Sequence, residues 1–185
     1  IIPPCGLVCA ADSGLDTAVS MGYAVDTAIG DFDSLDNHGL LEHVAHVRLP
    51  RDKDVTDTEA VLQLIHAQGF TRYVLIGGGE GRFDHLLHLY GLFATYGAPE
   101  LWITAQECLY LVEHDITLEH MSRRTLSVLP AFFHGSSKAY ADNLVWELDG
   151  YPINMYSQSI SNRCAAETLS LHVEGDPVFL AIPSH

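Results

Sequence analysis

Residues 73–96 read YVLIGGGEGRFDHLLHLYGLFATY, and this stretch decides the fold class. Its first four residues predict a compact apolar strand, and its glycines predict a turn. A long helix is then predicted from about Arg82 to Tyr96, with Gly97 and Pro99 ending it. A strand joined to a helix through a glycine-rich loop is the repeating unit of a parallel sheet covered by helices. The stretch therefore predicts an α/β fold.

The same order of elements is predicted upstream of this stretch. Strand candidates are residues 6–11, 24–29 and 44–49. A helix follows the first of them and is closed by Gly22, a residue that favours the left-handed position after a helix. A second helix over residues 60–68 follows the capping box from Thr56 to Glu59. We therefore expect an N-terminal, three-layer α/β domain with a mostly parallel sheet.

After about residue 112 the hydrophobic pattern changes to a period of two. Leu169, Leu171 and Val173 alternate with polar neighbours, and residues 175–177 predict a turn into residues 178–182, which alternate again. Residues 125–129 and 144–148 show the same alternation. This pattern predicts an antiparallel β domain, so we divide the chain into residues 1–112 and residues 113–185.

Composition excludes several classes of protein. The 185 residues include 24 Asp and Glu against nine Lys and Arg, which gives a net charge of −15. Such an acidic chain argues against binding of nucleic acid, and no apolar run approaches the roughly 18 residues that span a bilayer. Four cysteines without zinc-site spacing favour free thiols in a reducing compartment, so we expect a cytoplasmic protein.

The first acidic motif is Gly30-Asp31-Phe32-Asp33-Ser34, directly after a predicted strand. If the backbone stays extended, the side chains of Asp31 and Asp33 point to the same face. Two such carboxylates repel each other unless a cation lies between them, and this edge of an α/β sheet is where ligands bind. The alternative is an Asp-rich turn without a ligand.

The second acidic motif covers residues 52–59, DKDVTDTE. Acidic residues in a first helical turn and the capping box explain much of it without a ligand. Taken alone, the segment favours this structural explanation. However, this structural explanation gives no reason for Lys53 and Asp54 to accompany Asp57 in the same segment.

The third motif is the glycine-rich loop at residues 77–81 with Arg82, Asp84 and His85 behind it. Backbone N–H groups in such a loop can approach phosphate oxygens. Arg82 takes the place of the last glycine of a dinucleotide fingerprint, and no Walker A motif surrounds Lys53 or Lys138. The loop alone is a weak signal of phosphate binding.

The three motifs combine into one chemical pattern. Carboxylates in separate loops, without clustered Cys or His, favour Mg²⁺. Beside them stand the glycine-rich loop and the cations Lys53 and Arg82, so the pattern fits phosphoryl-type transfer. The candidate ligands are Asp31, Asp33, Asp57 and Asp84.

The motifs at residues 30–34, 53–59 and 81–85, in this order, resemble those of the thiamine pyrophosphokinase family. Residues 127–130, 144–148 and 159–162 resemble its C-terminal half, so the resemblance covers nearly the whole chain. It implies an α/β ATP-binding domain, a C-terminal β-sandwich and a homodimer with thiamine near the subunit interface. It also implies transfer of a pyrophosphoryl group from ATP to the thiamine hydroxyl, which yields thiamine diphosphate and AMP.

The resemblance assigns roles residue by residue. Asp31, Asp33 and Asp57 are implied Mg²⁺ ligands, with Asp84 as a ligand or orienting group. Implied or expected contacts of ATP are Asp12, Ser13, Gly14, Ser34, Lys53, Thr56, Gly79, Arg82 and His85. The implied thiamine pocket comprises Trp146, Ser159, Ser161 and Asn162. Trp146 is equally explained as a core residue, and the two serines as polar residues on a strand face.

Two departures from the family and several alternatives stay open. The family has a first strand and helix before the position of Ile1, and Asp-Gly-Gly where this chain has Asp12-Ser13-Gly14.

Either Asp54 or Asp84 is a candidate acceptor of the proton of the thiamine hydroxyl. Asp31 to Ser34 also resembles the nucleophile motif of haloacid-dehalogenase-type phosphohydrolases. A non-catalytic cation- or sugar-binding module is the remaining alternative.

Overall fold

The computed structural model describes residues 5–184, which contain both parallel and antiparallel sheets. The α-helices are α1 (Gly14–Ser20), α2 (Asp57–Ala67) and α3 (Phe83–Tyr96), and a short 3₁₀ helix covers His38–Glu42. The first strands are β1 (Cys9–Ala11), β2 (Thr27–Gly30), β3 (His46–Arg48), β4 (Val74–Ile76), β5 (Leu101–Ile103) and β6 (Glu107–Val112). The others are β7 (Asp115–Leu118), β8 (Thr125–Pro130), β9 (Ser137–Ala141), β10 (Leu148–Ile153), β11 (Ser159–Arg163), β12 (Leu169–Gly175) and β13 (Val178–Pro183). Within this range no helix is long and apolar enough to cross a membrane.

The chain forms two compact units, Ile1–Thr71 and Arg72–His185. The division predicted between residues 112 and 113 falls inside the second unit. The reason is strand pairing, because β4 pairs with β5 in parallel and β5 pairs with β6 antiparallel. The last α/β elements therefore share a sheet with strands of the predicted β domain. The strand and helix expected before residue 1 lie outside the described residues.

The first unit contains a parallel sheet in the order β1-β2-β3, on which α1 and α2 pack. Helix signals in the sequence are confirmed here. Gly22 has a φ of +82° just after α1, and the Thr56 hydroxyl accepts a hydrogen bond from the Glu59 N–H at the start of α2. The core of this unit is small and comprises Ala10, Leu15, Ala28, Phe32 and Leu35.

The second unit is built on a six-stranded sheet in the order β11-β8-β13-β6-β5-β4. Its central strand β13 is buried on both faces. Val178, Leu180 and Ile182 join a core shared with the antiparallel sheet β10-β9-β12-β7, while Phe179 and Ala181 join a core with α3. The period-two pattern of β8 and β12 is confirmed, since alternate residues of both strands are buried.

The strand predicted over residues 144–148 is wrong. Leu144 forms an isolated bridge with Cys164, and β10 begins only at Leu148. Between them the side-chain amide of Asn162 accepts from the N–H of Trp146 at 3.3 Å and donates to its carbonyl at 2.7 Å. A side chain thus takes the hydrogen bonds that a neighbouring strand would supply, and the backbone needs no ladder there.

Candidate functional site

Two of the acidic residues follow neighbouring parallel strands. Asp12 comes directly after β1 and Asp31 directly after β2. Ala11 pairs with Ile29 in the register of these strands, and the Asp12 N–H donates to the Ile29 carbonyl at 2.9 Å. Because the carboxyl ends of parallel strands meet at one sheet edge, both carboxylates lie where α/β sheets bind ligands.

Asp33 completes a group of three carboxylates. One side-chain oxygen from each of Asp12, Asp31 and Asp33 lies within 4.8 Å of the others. The backbone is not extended here, which was the condition for the two side chains to share a strand face, because Phe32 has a φ of +61°. The Asp31 Oδ1 atom accepts a hydrogen bond from the Asp33 N–H at 3.0 Å and closes this turn. The fully buried Phe32 ring anchors the turn in the core of the first unit.

Gly30 allows the first two carboxylates to approach. A Cβ atom at this position would lie 3.0 Å from the Asp12 Cα and 3.2 Å from its nitrogen. Such distances are tighter than most real contacts of a Cβ atom, so a side chain at residue 30 would require the β1 backbone to shift by a few tenths of an ångström. Gly30, in the first acidic motif, therefore lets the two strands lie close enough for the carboxylates of Asp12 and Asp31 to meet.

The donor set of the cluster fits a divalent cation. The Oδ1 atom of Asp12 is buried and has no hydrogen-bond partner among the described residues. A buried, unpaired carboxylate oxygen beside two further carboxylates is costly unless a positive charge compensates it. Three carboxylates without Cys or His are hard oxygen ligands of the kind that Mg²⁺ prefers.

Two arginines that the sequence reasoning missed lie beside this cluster. The Nη1 atom of Arg48 donates to the main-chain carbonyl of Asp31 at 2.7 Å, and its guanidinium lies 5.2 Å from the centre of the Phe32 ring. Arg51 forms an ion pair with Asp33. Hydrogen bonds from Arg51 and Ser34 lower the pKa of the Asp33 carboxyl. The sequence does carry a signal for a basic site here, since three of the nine Lys and Arg residues fall within residues 48–53.

The second acidic motif is placed differently from the prediction. Asp57 opens α2 and accepts a hydrogen bond from the Lys53 Nζ atom at 2.6 Å, and both side chains are largely buried. It is not a member of the carboxylate cluster. Thr56 caps α2 with its hydroxyl oxygen, and Asp54 is exposed. The predicted roles of Asp57 as ligand and of Lys53 and Thr56 as phosphate contacts stay predictions.

Three of the predicted nucleotide contacts lie at the start of α1 or after β2, and one of them, Ser34, already bonds another side chain. Ser13 precedes the helix without a side-chain capping bond, and Gly14 is its first residue. The Ser34 hydroxyl donates to Asp33 Oδ1 at 3.1 Å. Asp16, which the sequence reasoning did not single out, accepts from the N–H groups of Asp36 and Asn37 and fixes the chain after the first motif.

The glycine-rich loop lies in the second unit, between β4 and α3. Gly77, Gly78 and Gly81 have φ angles of +81°, +75° and +91°, which L side chains rarely adopt. A Cβ atom at Gly79 would lie 2.5 Å from the Thr104 Cγ2 atom, so that position has no room for a side chain. The four glycines therefore leave most of the loop backbone bare, as a phosphate-binding loop requires, while the Glu80 carboxylate accepts a hydrogen bond from the Ala105 N–H.

Arg82 and Asp84 follow the loop and pair with each other. The Arg82 Nε atom donates to Asp84 Oδ1 at 3.1 Å, and both side chains are exposed. This guanidinium lowers the pKa of the Asp84 carboxyl. The N–H of His85, whose ring is exposed, also donates to Asp84. The metal-ligand role of Asp84 and the ATP contacts of Arg82 and His85 stay predictions.

The four residues of the predicted thiamine pocket are close in structure, although two of them serve the fold. Asn162 is 2% exposed and binds the Trp146 backbone, and its Nδ2 atom donates to the Ser159 hydroxyl at 3.2 Å. Trp146 itself is 61% exposed, so its interpretation as a core residue is wrong. Ser159 is buried, and Ser161 is exposed with a φ of +54°.

Comparisons with known proteins converge on one family. Residues 2–104 match the family model described as thiamin pyrophosphokinase, catalytic domain, which is more than half of the chain. No curated protein matches the sequence. The three solved structures described next are 16–20% identical to this chain, so they support the fold alone.

Three solved structures illustrate the similarity. Thiamine pyrophosphokinase from Bacillus subtilis has 20% identity and a TM-score of 0.76, over 100% of this chain and 90% of that chain. Thiamin pyrophosphokinase from Geobacillus thermodenitrificans has 20% identity and a TM-score of 0.73, over 97% and 86%. Thiamin pyrophosphokinase from Candida albicans has 16% identity and a TM-score of 0.71, over 97% and 82%.

Proposed function

Because the chain belongs to the thiamin pyrophosphokinase family, we propose that it transfers the pyrophosphoryl group of ATP to the hydroxyl of thiamine, with thiamine diphosphate and AMP as products. The observation that carries the proposal is the group of three carboxylates at the carboxyl ends of parallel strands, inside the segment that matches the family model. This edge of the sheet is the usual ligand site of α/β proteins.

Asp12, Asp31 and Asp33 would hold Mg²⁺ in this proposal. The cation would neutralise charge on the polyphosphate of ATP. Asp12, which the sequence suggested only as a nucleotide contact, therefore joins the ligand set because of its buried, unpaired oxygen. Asp57 and Asp84 remain proposed as further ligands or orienting groups.

Basic groups beside the carboxylates would hold the substrate phosphates. Arg48 is the last residue of β3, Arg51 lies in the segment that follows and pairs with Asp33, and Lys53 precedes α2. An acidic chain repels polyanionic ATP, so local positive charge is needed where the phosphates bind. In the second unit the glycine-rich loop and Arg82 are proposed as phosphate contacts.

The thiamine hydroxyl must lose a proton when it attacks the β-phosphorus. Arg82 hydrogen-bonds the Asp84 carboxyl and lowers its pKa, which disfavours Asp84 as the proton acceptor. The proposal therefore assigns the proton to Asp54, whose exposed carboxylate lies between Lys53 and the capping residue Thr56. In-line geometry and electrostatic stabilisation would supply most of the rate acceleration.

Trp146 would recognise thiamine. Its exposed indole offers a flat face to a planar, cationic heterocycle, and Asn162 holds the backbone that presents it. Ser159 and Ser161 are proposed as neighbouring polar contacts. Large apolar side chains of the same region are also exposed, which supports the proposed homodimer. They are Val145, Met155, Tyr156 and Ile160.

The test is incubation of the chain with ATP, Mg²⁺ and thiamine. We expect AMP and thiamine diphosphate in equal amounts, and no product in excess EDTA. Asp31→Asn should lower turnover by at least about a hundredfold. Asp36→Asn, a change at an exposed carboxylate beside the same motif, is the matched control and should keep turnover near the parent value. Release of inorganic phosphate without thiamine would instead support the phosphohydrolase alternative, which no comparison favours.

A further inference from the structure

Arg51 makes a different contact with the carboxylate cluster from the other basic residues. Its Nε and Nη2 atoms both donate to the Oδ2 atom of Asp33, the former at 3.2 Å. The other oxygen of Asp33 accepts from the Ser34 hydroxyl at 3.1 Å. The side chain of Asp33, a member of the cluster, is therefore already engaged by a positive group of the chain itself.

A guanidinium and a divalent cation cannot share this position without cost. Both are positive, and both would bind the Asp33 carboxylate, whose two oxygens already accept hydrogen bonds from Arg51 and from the Ser34 hydroxyl. Arg51 also interacts electrostatically with Asp31, so its charge acts on two of the three carboxylates. Binding of a cation by Asp33 therefore opposes the Arg51 contact and favours a guanidinium that turns away.

We propose that Arg51 competes with the divalent cation for the Asp33 carboxylate, and that cation binding releases the guanidinium to pair with the polyphosphate of ATP. This inference rests on the proposed function and adds a coupling between the two ligands to it. A guanidinium that leaves a carboxylate is well suited to a phosphate, because its paired N–H groups match both.

The side chain of Arg51 is free to make this movement, unlike its basic neighbours. It is 75% exposed, and its contact with Asp33 is at the surface. Arg48 is bound to the Asp31 carbonyl and stacked over Phe32, and the Lys53 side chain is only 13% exposed where it pairs with Asp57. Surface ion pairs are weak, so the cost of breaking this one is small.

The proposal predicts opposite effects of one substitution on two ligands. Arg51→Gln should bind Mn²⁺, measured by electron paramagnetic resonance without nucleotide, about two- to fivefold more tightly than the parent chain. The same variant should bind ATP with Mg²⁺ about tenfold more weakly, since charged hydrogen bonds to phosphate are lost. Arg51→Lys should restore part of the ATP affinity, because it keeps the charge without the paired donors.

A matched control separates this effect from a general change of charge. Arg72 is an exposed arginine that pairs with a carboxylate, Glu100, within the second unit. Arg72→Gln should leave the affinities for Mn²⁺ and for ATP within about a factor of two of the parent values. Equal effects of the two substitutions would overturn the proposal.

The remaining outcomes distinguish this proposal from the proposed function. If Asp33→Asn abolishes Mn²⁺ binding while Arg51→Gln leaves it unchanged or weakens it, the competition is overturned and the metal site stands. If Asp33→Asn binds Mn²⁺ like the parent, Asp33 is not a ligand and the competition is overturned, while formation of AMP and thiamine diphosphate by the parent chain tests the proposed function separately. The competition is supported if Arg51→Gln binds Mn²⁺ more tightly and ATP more weakly than the parent chain, and Arg72→Gln does neither.

Discussion

Gly30 and Asp12 lie so close across the first two strands that a Cβ atom on Gly30 would come within 3.0 Å of the Asp12 Cα. The neighbour is main chain, which cannot rotate away as a flexible side chain would. Asp12 reaches the carboxylate cluster from the end of β1, so the glycine determines how near its carboxylate lies to Asp31.

Gly30→Ala should therefore separate the two strands. We expect the free energy of unfolding in urea to fall by about 1–3 kcal/mol, the usual cost of overpacking, and Mn²⁺ affinity to fall with it. Gly14→Ala is the control for stability, because no atom apart from its chain neighbours and the backbone of its own helix lies within 4 Å of the added Cβ there. Equal stability of Gly30→Ala and the parent chain would contradict the close approach.

Asp12→Asn tests the buried oxygen of the cluster. We expect Mn²⁺ affinity to fall at least tenfold, since even outer-shell changes cost about that much. In EDTA the variant should unfold at the same or a higher urea concentration than the parent, because one of three adjacent negative charges is gone. Asp36→Asn, at an exposed carboxylate after the same turn, should change neither property. A loss of stability in EDTA without loss of Mn²⁺ binding would assign Asp12 to the fold alone.

Asp57→Asn distinguishes two roles for Asp57. It loses its ion pair with Lys53 and a negative charge at the start of α2, so the free energy of unfolding should fall by about 1 kcal/mol. If Asp57 is mainly the partner of Lys53, Mn²⁺ affinity should stay within about a factor of two of the parent value. A large fall in Mn²⁺ affinity without a change in stability would instead support the ligand role that the sequence suggests.

Much of the fold was predictable because the signals are local. The N-cap at Thr56, the glycine after α1 and the alternation in β12 depend only on nearby residues, and all three are confirmed. The sequence does not place Asp12 in the carboxylate cluster, because its position there depends on the parallel pairing of β1 with β2. The alternation at residues 144–148 wrongly predicts a strand, because the Asn162 side chain, distant in sequence, takes the hydrogen bond of the Trp146 carbonyl.

Substitutions of Trp146 and of Asn162 should separate thiamine recognition from folding stability. Trp146 is exposed, so Trp146→Ala should change the free energy of unfolding by less than about 0.5 kcal/mol. If the indole stacks on thiamine, the variant should nevertheless lose about tenfold or more in thiamine affinity.

Asn162→Leu should behave in the opposite way. It leaves the Trp146 N–H and carbonyl without their partner, so we expect a loss of about 2–4 kcal/mol in stability. The fluorescence of Trp146, measured in a Trp102→Phe background, should also change as its backbone becomes mobile. Similar losses of thiamine affinity in both variants, with full stability in both, would show that Asn162 contacts thiamine directly rather than holding Trp146 in place.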